Sequence, residues 1–341
     1  MNINNISLII PTRNCKYLKK VLTKVGNLFE EIIVVGESDI DFSNYSNVKF
    51  FYNQNANAAK NRNFGSEKAK NEYLFFLDSD CLPSDDLINE LSFLEIDANK
   101  IITGYYSEEN IGNNISDSLS KFIKFRLKNQ KSKLVKFSSA NFIIEKEFFK
   151  KIGKFNEYLD CYEDVDLNVR ANLFSAEVVK NDKFSVLHLK EYKFLNFINE
   201  SFVRSYKSAG YIFNNKKYFS NIGLNFPLKS FSLLFPFVFL LLSILSNFFY
   251  IPFVAFVAYN TLVFRNIFKS LQSSFFGTIL IGVSLLFNIF GYLVSLLNSY
   301  FLYSKNLIIE TTDYLICLKR AIIKSKYPVQ LIQYVTARCN L

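Results

Sequence analysis

The chain has 341 residues, 50% of them hydrophobic and 17% aromatic, with a formal net charge of +10. That length holds one sizeable domain with something appended, and the excess of basic residues in so apolar a chain suits anionic lipid headgroups better than nucleic acid. The five cysteines (Cys15, Cys81, Cys161, Cys317 and Cys339) show no Cys-x-x-Cys spacing, which argues against a disulfide framework or a zinc site and fits a reducing compartment.

The first residues do not read as a signal peptide, because residues 1–5 carry no basic side chain and the apolar run at 6–10 is too short before Pro11. The large domain is therefore expected in the cytosol. Short apolar runs at 6–10, 32–35, 48–52 and 73–77 alternate with helical patterns at 16–28 and 56–69. This predicts an α/β domain with a mostly parallel sheet covered by helices. Ligands of such sheets bind beyond the carboxyl ends of the strands. Three polar segments fall there: Pro11-Thr12-Arg13-Asn14, Gly36-Glu37-Ser38-Asp39 and Asp78-Ser79-Asp80. Carboxylates that close a buried strand are costly unless something satisfies them. A magnesium or manganese ion does so, since both prefer oxygen ligands and share them with substrate phosphates. Out of context, Asp-Ser-Asp is more often an ordinary turn than a metal site, and here the context reverses that.

Further strands are expected at 100–106 and 138–144, and a helix at 163–174 that opens on Glu163-Asp164, where the helix dipole favours carboxylates. Lys121, Lys124, Arg126, Lys128, Lys131, Lys133 and Lys136, interleaved with Phe122, Ile123, Phe125 and Leu127, suit a helix on a membrane surface or a solvated basic face. Residues 194–218 repeat aromatic and basic side chains at helical spacing, as an interfacial helix or a core-facing stripe would. After Lys229 the charges stop: 230–264 and 270–304, 35 residues each, contain no charged side chain. About 20 apolar residues cross the hydrocarbon, so both blocks are read as membrane segments. Pro236 and Pro252 in the first, and Asn288 with Gly291 in the second, offer places to turn back. Arg265 and Lys269 between the blocks, and the basic residues after them, would then all lie on the cytosolic face. The expected organisation is a domain over 1–193, an amphipathic region over 194–229, membrane segments over 230–304 and a basic cytosolic tail over 305–341.

Taken in order, Ile9-Ile10-Pro11-Thr12-Arg13-Asn14, Arg62-Asn63-Phe64-Gly65, Phe76-Leu77-Asp78-Ser79-Asp80 and Tyr162-Glu163-Asp164-Val165-Asp166-Leu167 resemble the motifs of family 2 glycosyltransferases of the GT-A fold. The resemblance covers roughly residues 5–190 and implies a nucleotide-diphospho-sugar donor. It implies that the Pro11-Thr12-Arg13 segment holds the nucleobase and that an acidic residue after the second strand helps hold base or ribose. Glu37 or Asp39 stands here where a pair of aspartates is more usual. Arg62 would touch the nucleotide or diphosphate, Asp78 would face the ribose with Ser79 also on the donor, and Asp80 would bind Mg2+ or Mn2+. A histidine is often found on the metal or diphosphate where this chain has His188, its only histidine, although a lone histidine by itself reads as a packed or exposed residue.

Asp164, with Glu163 beside it, is the expected general base, because an acceptor hydroxyl becomes nucleophilic as its proton leaves. One base, one metal and no second nucleophile imply direct displacement with inversion. The Gln-x-x-Arg-Trp motif of processive synthases is absent, and the chain contains no tryptophan. The reading is a transferase at the cytoplasmic membrane, facing the cytosol, that moves one sugar to a lipid-linked or other envelope acceptor in surface polysaccharide or glycolipid assembly. Two rivals fit less well. A sugar nucleotidyltransferase calls for a Gly-rich phosphate loop that Pro11-Thr12-Arg13-Asn14 does not supply. A non-catalytic channel or scaffold would want ionisable residues in the apolar blocks.

Overall fold

Strand β1 (Ile6–Arg13) is buried at every position except its last, because the sheet it centres is covered on both faces. The computed structural model of the chain describes residues 3–94, 98–107, 114–128, 137–214, 235–268 and 271–306. The two-residue period of β1 sends Ile6, Leu8 and Ile10 into one core with helix α1 (Leu18–Val25), and Ile9 into another with helix α2 (Ala58–Lys68). Gly65 lets α2 lie flush on the sheet: a Cβ there would come within 2.6 Å of the Ile9 side chain.

β2 (Glu31–Glu37) and β4 (Tyr73–Leu77) flank β1 in parallel, and β3 (Val48–Tyr52) extends the parallel set beyond β2. On the other side, β7 (Asn141–Glu145) pairs antiparallel with both β4 and β6 (Lys100–Thr103), and β8 (Glu177–Lys180) closes the edge parallel to β6. The sheet order is therefore 3-2-1-4-7-6-8. Phe76 of β4 anchors the second core, its ring 4.8 Å from Phe142, 5.1 Å from Phe149 and 5.6 Å from Phe155. Phe149 belongs to α5 (Lys146–Lys151), and α6 (Glu163–Leu173) adds Leu167 and Ala171 to the same core.

Parallel register brings the chemistry to one rim. Arg13 is opposite Glu37, and β4 ends at Leu77 just before the aspartates. The chain then turns into β5 (Cys81–Pro83), which pairs with β9 (Val186–His188) so that Cys81 faces His188. This small second sheet, like α3 (Asp85–Leu91) behind it, is too short to leave a periodic signal in the sequence.

Beyond the sheet and its covering helices, α7 (Phe194–Asn214) packs along α10 (Leu271–Asn306). α9 (Tyr250–Phe268) packs on α10, and α8 (Phe235–Leu242) packs on α9. α4 (Asn114–Lys128) touches both α9 and α10. The amphipathic helix expected at 194–218 is thus helical through Asn214, while 215–234, the end of the basic run at 129–136 and the tail at 307–341 lie outside the described residues. Among the described residues, one segment, Ser273–Ser295, is long and apolar enough to cross a membrane by length and composition. The second apolar block does not turn back at Asn288 and Gly291, as the sequence had suggested, because α10 runs through both without a break. Both residues serve packing against α7. Asn288 accepts a hydrogen bond from Ser205, and a Cβ on Gly291 would come within 2.4 Å of the Phe202 carbonyl. The first block does break, at 243–249 between α8 and α9, with Pro236 and Pro252 in the opening turns where a proline costs a helix nothing.

Gly36, at the rim, has φ +131°, and a Cβ there would sit 1.9 Å from the Thr12 carbonyl oxygen. Gly36→Ala is therefore expected to cost about 1–3 kcal/mol in backbone strain alone, and more if β1 and β2 separate. Denaturant unfolding of the variant beside the parent measures this.

Candidate active site

Helix α2 buries polar residues, Asn61, Arg62, Asn63 and Ser66, on the face that a helix normally fills with apolar ones. Each has work to do. Asn63 Nδ2 donates to the Phe155 carbonyl at 2.9 Å, and its Oδ1 accepts from the Phe155 amide at 3.0 Å, which ties α2 to the loop before α6. Asn61 accepts from Asn53 at 2.9 Å. Arg62, only 3% exposed, donates through Nη2 to Asp78 at 2.7 Å and through Nη1 to Glu163 at 3.0 Å. A buried guanidinium is tolerable only when paired, and here two carboxylates pair it. Burial alone would lower its pKa, but Asp78 and Glu163 outweigh that and raise it, so Arg62 stays charged.

The aspartate turn is held by backbone bonds: the Asp78 amide donates to the Ala140 carbonyl at 3.1 Å, and the Cys81 amide to the Asp78 carbonyl at 3.0 Å. The Ser79 carbonyl accepts from Cys15 Sγ at 3.4 Å. Asp78 and Asp80 then differ in environment. Burial, with the charges of Asp80 and Glu163, raises the Asp78 pKa against the pull of Arg62. Burial also pushes Asp80 upward, but His188 and Lys190 outweigh it and the net shift is downward. His188 Nε2 lies 3.4 Å from Asp80 Oδ2, and the Leu189 amide donates to the Asp80 carbonyl at 2.8 Å. Ligand atoms of Asp78, Asp80 and Cys81 all lie within 4.8 Å of one another. The carboxylates suit a hard divalent cation. The Cys81 thiol does not, because burial and the nearby aspartates raise its pKa and keep it protonated.

Glu163 and Asp164 open α6, entered through Tyr162 in the left-handed conformation at φ +67°. A bulky residue there costs backbone energy, and such strain gathers where a structure must aim a side chain. The turn divides the two acids. Glu163 goes to Arg62, while Asp164 accepts at 2.8 Å from its neighbour's amide, that of Val165. Burial and the charge of Glu163 raise Asp164 to about 6, against smaller opposing pulls from Val165, Arg62 and Arg204. A carboxyl titrating there can exchange a proton near neutral pH.

At the ends of β1 and β2, Pro11 and Thr12 are buried and Arg13 is exposed. Thr12 Oγ1 and Arg62 Nε are buried with no hydrogen-bond partner among the described residues. Orphaned polar atoms at a strand-end cleft suit a polar ligand. Glu37 receives the Asn55 amide at 2.9 Å and so sits at the rim, whereas Asp39 is exposed on the loop beyond. The predicted residues thus fall into two linked sets, Arg62 with Asp78 and Glu163, and Asp80 with His188, with Asp164 beside them.

Sequence reasoning missed a third set. Tyr106 and Tyr192 flank the His188 ring at 5.0 and 6.3 Å between centroids, and Lys190 lies over Tyr192 at 4.7 Å while pairing with Glu200 of α7 at 2.8 Å. Lys207 of α7 pairs with Asp160 at 2.8 Å, and Arg204 lies between them in sequence. Glu200, Arg204 and Lys207 recur at helical spacing, which was the available signal.

Residues 7–153 match the family model described as glycosyl transferase family 2. No curated protein matches the chain. Among solved structures, the mannosyltransferase PcManGT from Pyrobaculum calidifontis, solved in complex with GDP-Man and Mn2+, is similar at a TM-score of 0.54 and 12% identity, over 84% of this chain and 87% of that one. TarS 1–349 of S. aureus is similar at a TM-score of 0.41 and 15% identity, over 84% of this chain and 88% of that one.

Two stability changes of opposite sign are expected. Arg62→Gln leaves Asp78 and Glu163 unpaired in a buried site and should cost about 3–5 kcal/mol. Asp164→Asn should stabilise the chain at pH 7, by on the order of 1 kcal/mol. A carboxyl whose folded pKa is raised contributes stability at low pH, which is lost as pH rises through about 6, and asparagine removes that loss. Unfolding midpoints at pH 4 and pH 7 check both, with the Asp164→Asn gain growing as pH rises from about 4 to about 6.

Proposed function

Since residues 7–153 are a glycosyl transferase family 2 domain and the chain is a glycosyltransferase, we propose that it moves one sugar from a nucleotide-diphospho-sugar to a lipid-linked or cell-envelope acceptor at a membrane, with inversion and with a divalent cation. The observation that carries this reading is the division of labour Arg62 imposes on the acids. It holds Asp78 and Glu163 and leaves Asp80 and Asp164 unclaimed by any arginine hydrogen bond among the described residues. Asp80, with His188 3.4 Å away, is the ligand pair for Mg2+ or Mn2+. The cation, when bound, offsets the negative charge of the departing nucleoside diphosphate. The mannosyltransferase of similar fold was solved with GDP-Man and Mn2+, which is in keeping with this choice.

The donor's nucleoside is assigned to the rim. Pro11, Thr12 and Arg13 meet the base, Glu37 or Asp39 meets base or ribose, Asp78 faces the ribose with Ser79 also on the donor, and Arg62 braces Asp78 and the diphosphate. The orphaned Thr12 hydroxyl supports a polar partner at the base position. Asp164 takes the proton of the acceptor hydroxyl. Glu163 is held by Arg62 and is not free to attack the sugar. With Asp80 given to the cation and Asp164 to the acceptor proton, no further carboxylate among the described residues of the cleft is assigned to a covalent intermediate, and the displacement is direct. The apolar helices α8 to α10, with Ser273–Ser295 the one segment among the described residues long and apolar enough to cross a membrane, are the membrane attachment, and a lipid-borne acceptor would meet the cleft there.

The two acids have separable roles. Asp80→Ala should weaken donor binding in the presence of Mn2+ and abolish its metal dependence. Asp164→Asn should keep donor binding and lose about 10²- to 10⁴-fold in transfer rate. In the parent, transfer should rise with pH through about 6, as Asp164 loses its proton, and that limb should vanish in Asp164→Asn. Calorimetry of donor binding with and without Mn2+, paired with transfer assays across pH, reads both. Unchanged transfer in Asp164→Asn, or parent-like metal-dependent binding in Asp80→Ala, overturns these assignments.

A further inference from the structure

Helix α10 has 36 residues and would be roughly 54 Å long, whereas the hydrocarbon core of a bilayer is about 30 Å thick. Its composition is nearly uniform, but its burial is not. Ser274, Gly277, Thr278, Ile281, Leu285 and Gly291 are buried on one side. Phe275, Phe276, Ile279, Phe287, Leu293 and Leu297 are exposed on the other.

The buried side is occupied by α7. Ser201 and Ser284 hydroxyls meet at 2.9 Å, and Ser205 Oγ donates to Asn288 Oδ1 at 2.6 Å. Both partners advance by four residues between these bonds, so the two helices run parallel and stay side by side. The contact therefore falls at the centre of the segment Ser273–Ser295, where a crossing helix would be deepest in lipid. α7 is in turn fixed to the catalytic domain from its other side. Glu200 pairs with Lys190, and Lys207 pairs with Asp160 through side chains that are 45% and 56% exposed. Packed helices lie about 8–10 Å apart, so those charges stand within one helix layer of the middle of α10.

If α10 crossed the bilayer, exposed ion pairs and the cleft rim would be carried to its midplane, where ionised groups are strongly disfavoured. From this we infer that α10 lies along one leaflet with its exposed Phe, Ile and Leu face in the acyl boundary, so that α7 to α10 form a platform that holds the cleft against the surface without crossing. The inference rests on the membrane attachment proposed above and specifies its geometry. The partner is an anionic leaflet. The same platform exposes Ile251, Val254 and Leu262 on α9, α9 carries the exposed Arg265 near its end, and α4 packs against both apolar helices. The chain's net charge of +10 has the complementary sign.

The test uses the full chain with a nitrobenzoxadiazole label on Phe276→Cys or on Leu297→Cys. These exposed positions lie 21 residues, roughly 32 Å, apart along the helix, about the thickness of the hydrocarbon core. Labelled parent chain gives the background from native cysteines. Protein is added to sealed phosphatidylcholine vesicles with or without phosphatidylglycerol, and dithionite is then added outside. The expected result is tighter binding to the anionic vesicles and near-complete loss of fluorescence at both positions. Protection of one position until detergent opens the vesicles means a crossing helix and overturns the inference, while membrane attachment stands. Failure to sediment with either vesicle overturns both. Self-association that shields the labels in place of vesicle binding assigns the face to a second copy and likewise overturns it.

Discussion

The site is organised by one buried cation. Arg62 reaches Asp78, 16 residues away, and Glu163, 101 residues away, and so joins the end of β4 to the start of α6. Burying three ionised groups rarely adds stability over an apolar replacement, because the desolvation they suffer consumes the attraction they gain. What the arrangement supplies is position. With Asp78 and Glu163 held, the acids next to each of them, Asp80 and Asp164, are presented at a fixed separation in the cleft.

The surrounding fold exists to make that cation affordable. Gly65 brings α2 onto the sheet, and Asn63 closes a two-way bond with Phe155, whose ring packs on Phe76 and lies under the Arg62 guanidinium at 5.2 Å. The guanidinium is thus wrapped by an aromatic face as well as by its acids. Strained or poorly satisfied groups collect around it: Tyr162 in the left-handed region, the Thr12 hydroxyl, without a partner among the described residues, and Asp164 with its pKa raised to about 6. Each lowers the stability of the free protein, and each stands where the proposed function puts a donor or acceptor.

Helix α7 extends the same logic to the apolar part of the chain. One face carries Glu200, Arg204 and Lys207 toward the cleft, and the other carries Ser201, Phe202 and Ser205 onto α10. Small and hydroxylated residues allow two backbones to approach closely where apolar side chains alone give neighbouring helices little specificity. The cleft and the apolar platform therefore share a wall, and a shift of α10 would be felt at the acids through one helix.

Much of this was legible in the amino-acid order. Alternation of short apolar runs with helical periods gave the parallel half of the sheet, since those strands are buried on both faces and read as continuous apolar runs. The placement of Pro11, Glu37 and Asp78 at strand ends followed from it. The charge-free blocks, read as membrane segments, announced apolar helices. Composition could not say that α10 passes unbroken through Asn288 and Gly291, because a turn and a close helix contact ask for the same residues. Nor could local sequence pair Arg62 with Glu163, set His188 beside Asp80 through a three-residue strand, or bring Lys207 to Asp160. Those contacts join residues far apart in the chain, and it is the packing of both sheet faces, with α7 laid against the cleft, that decides them.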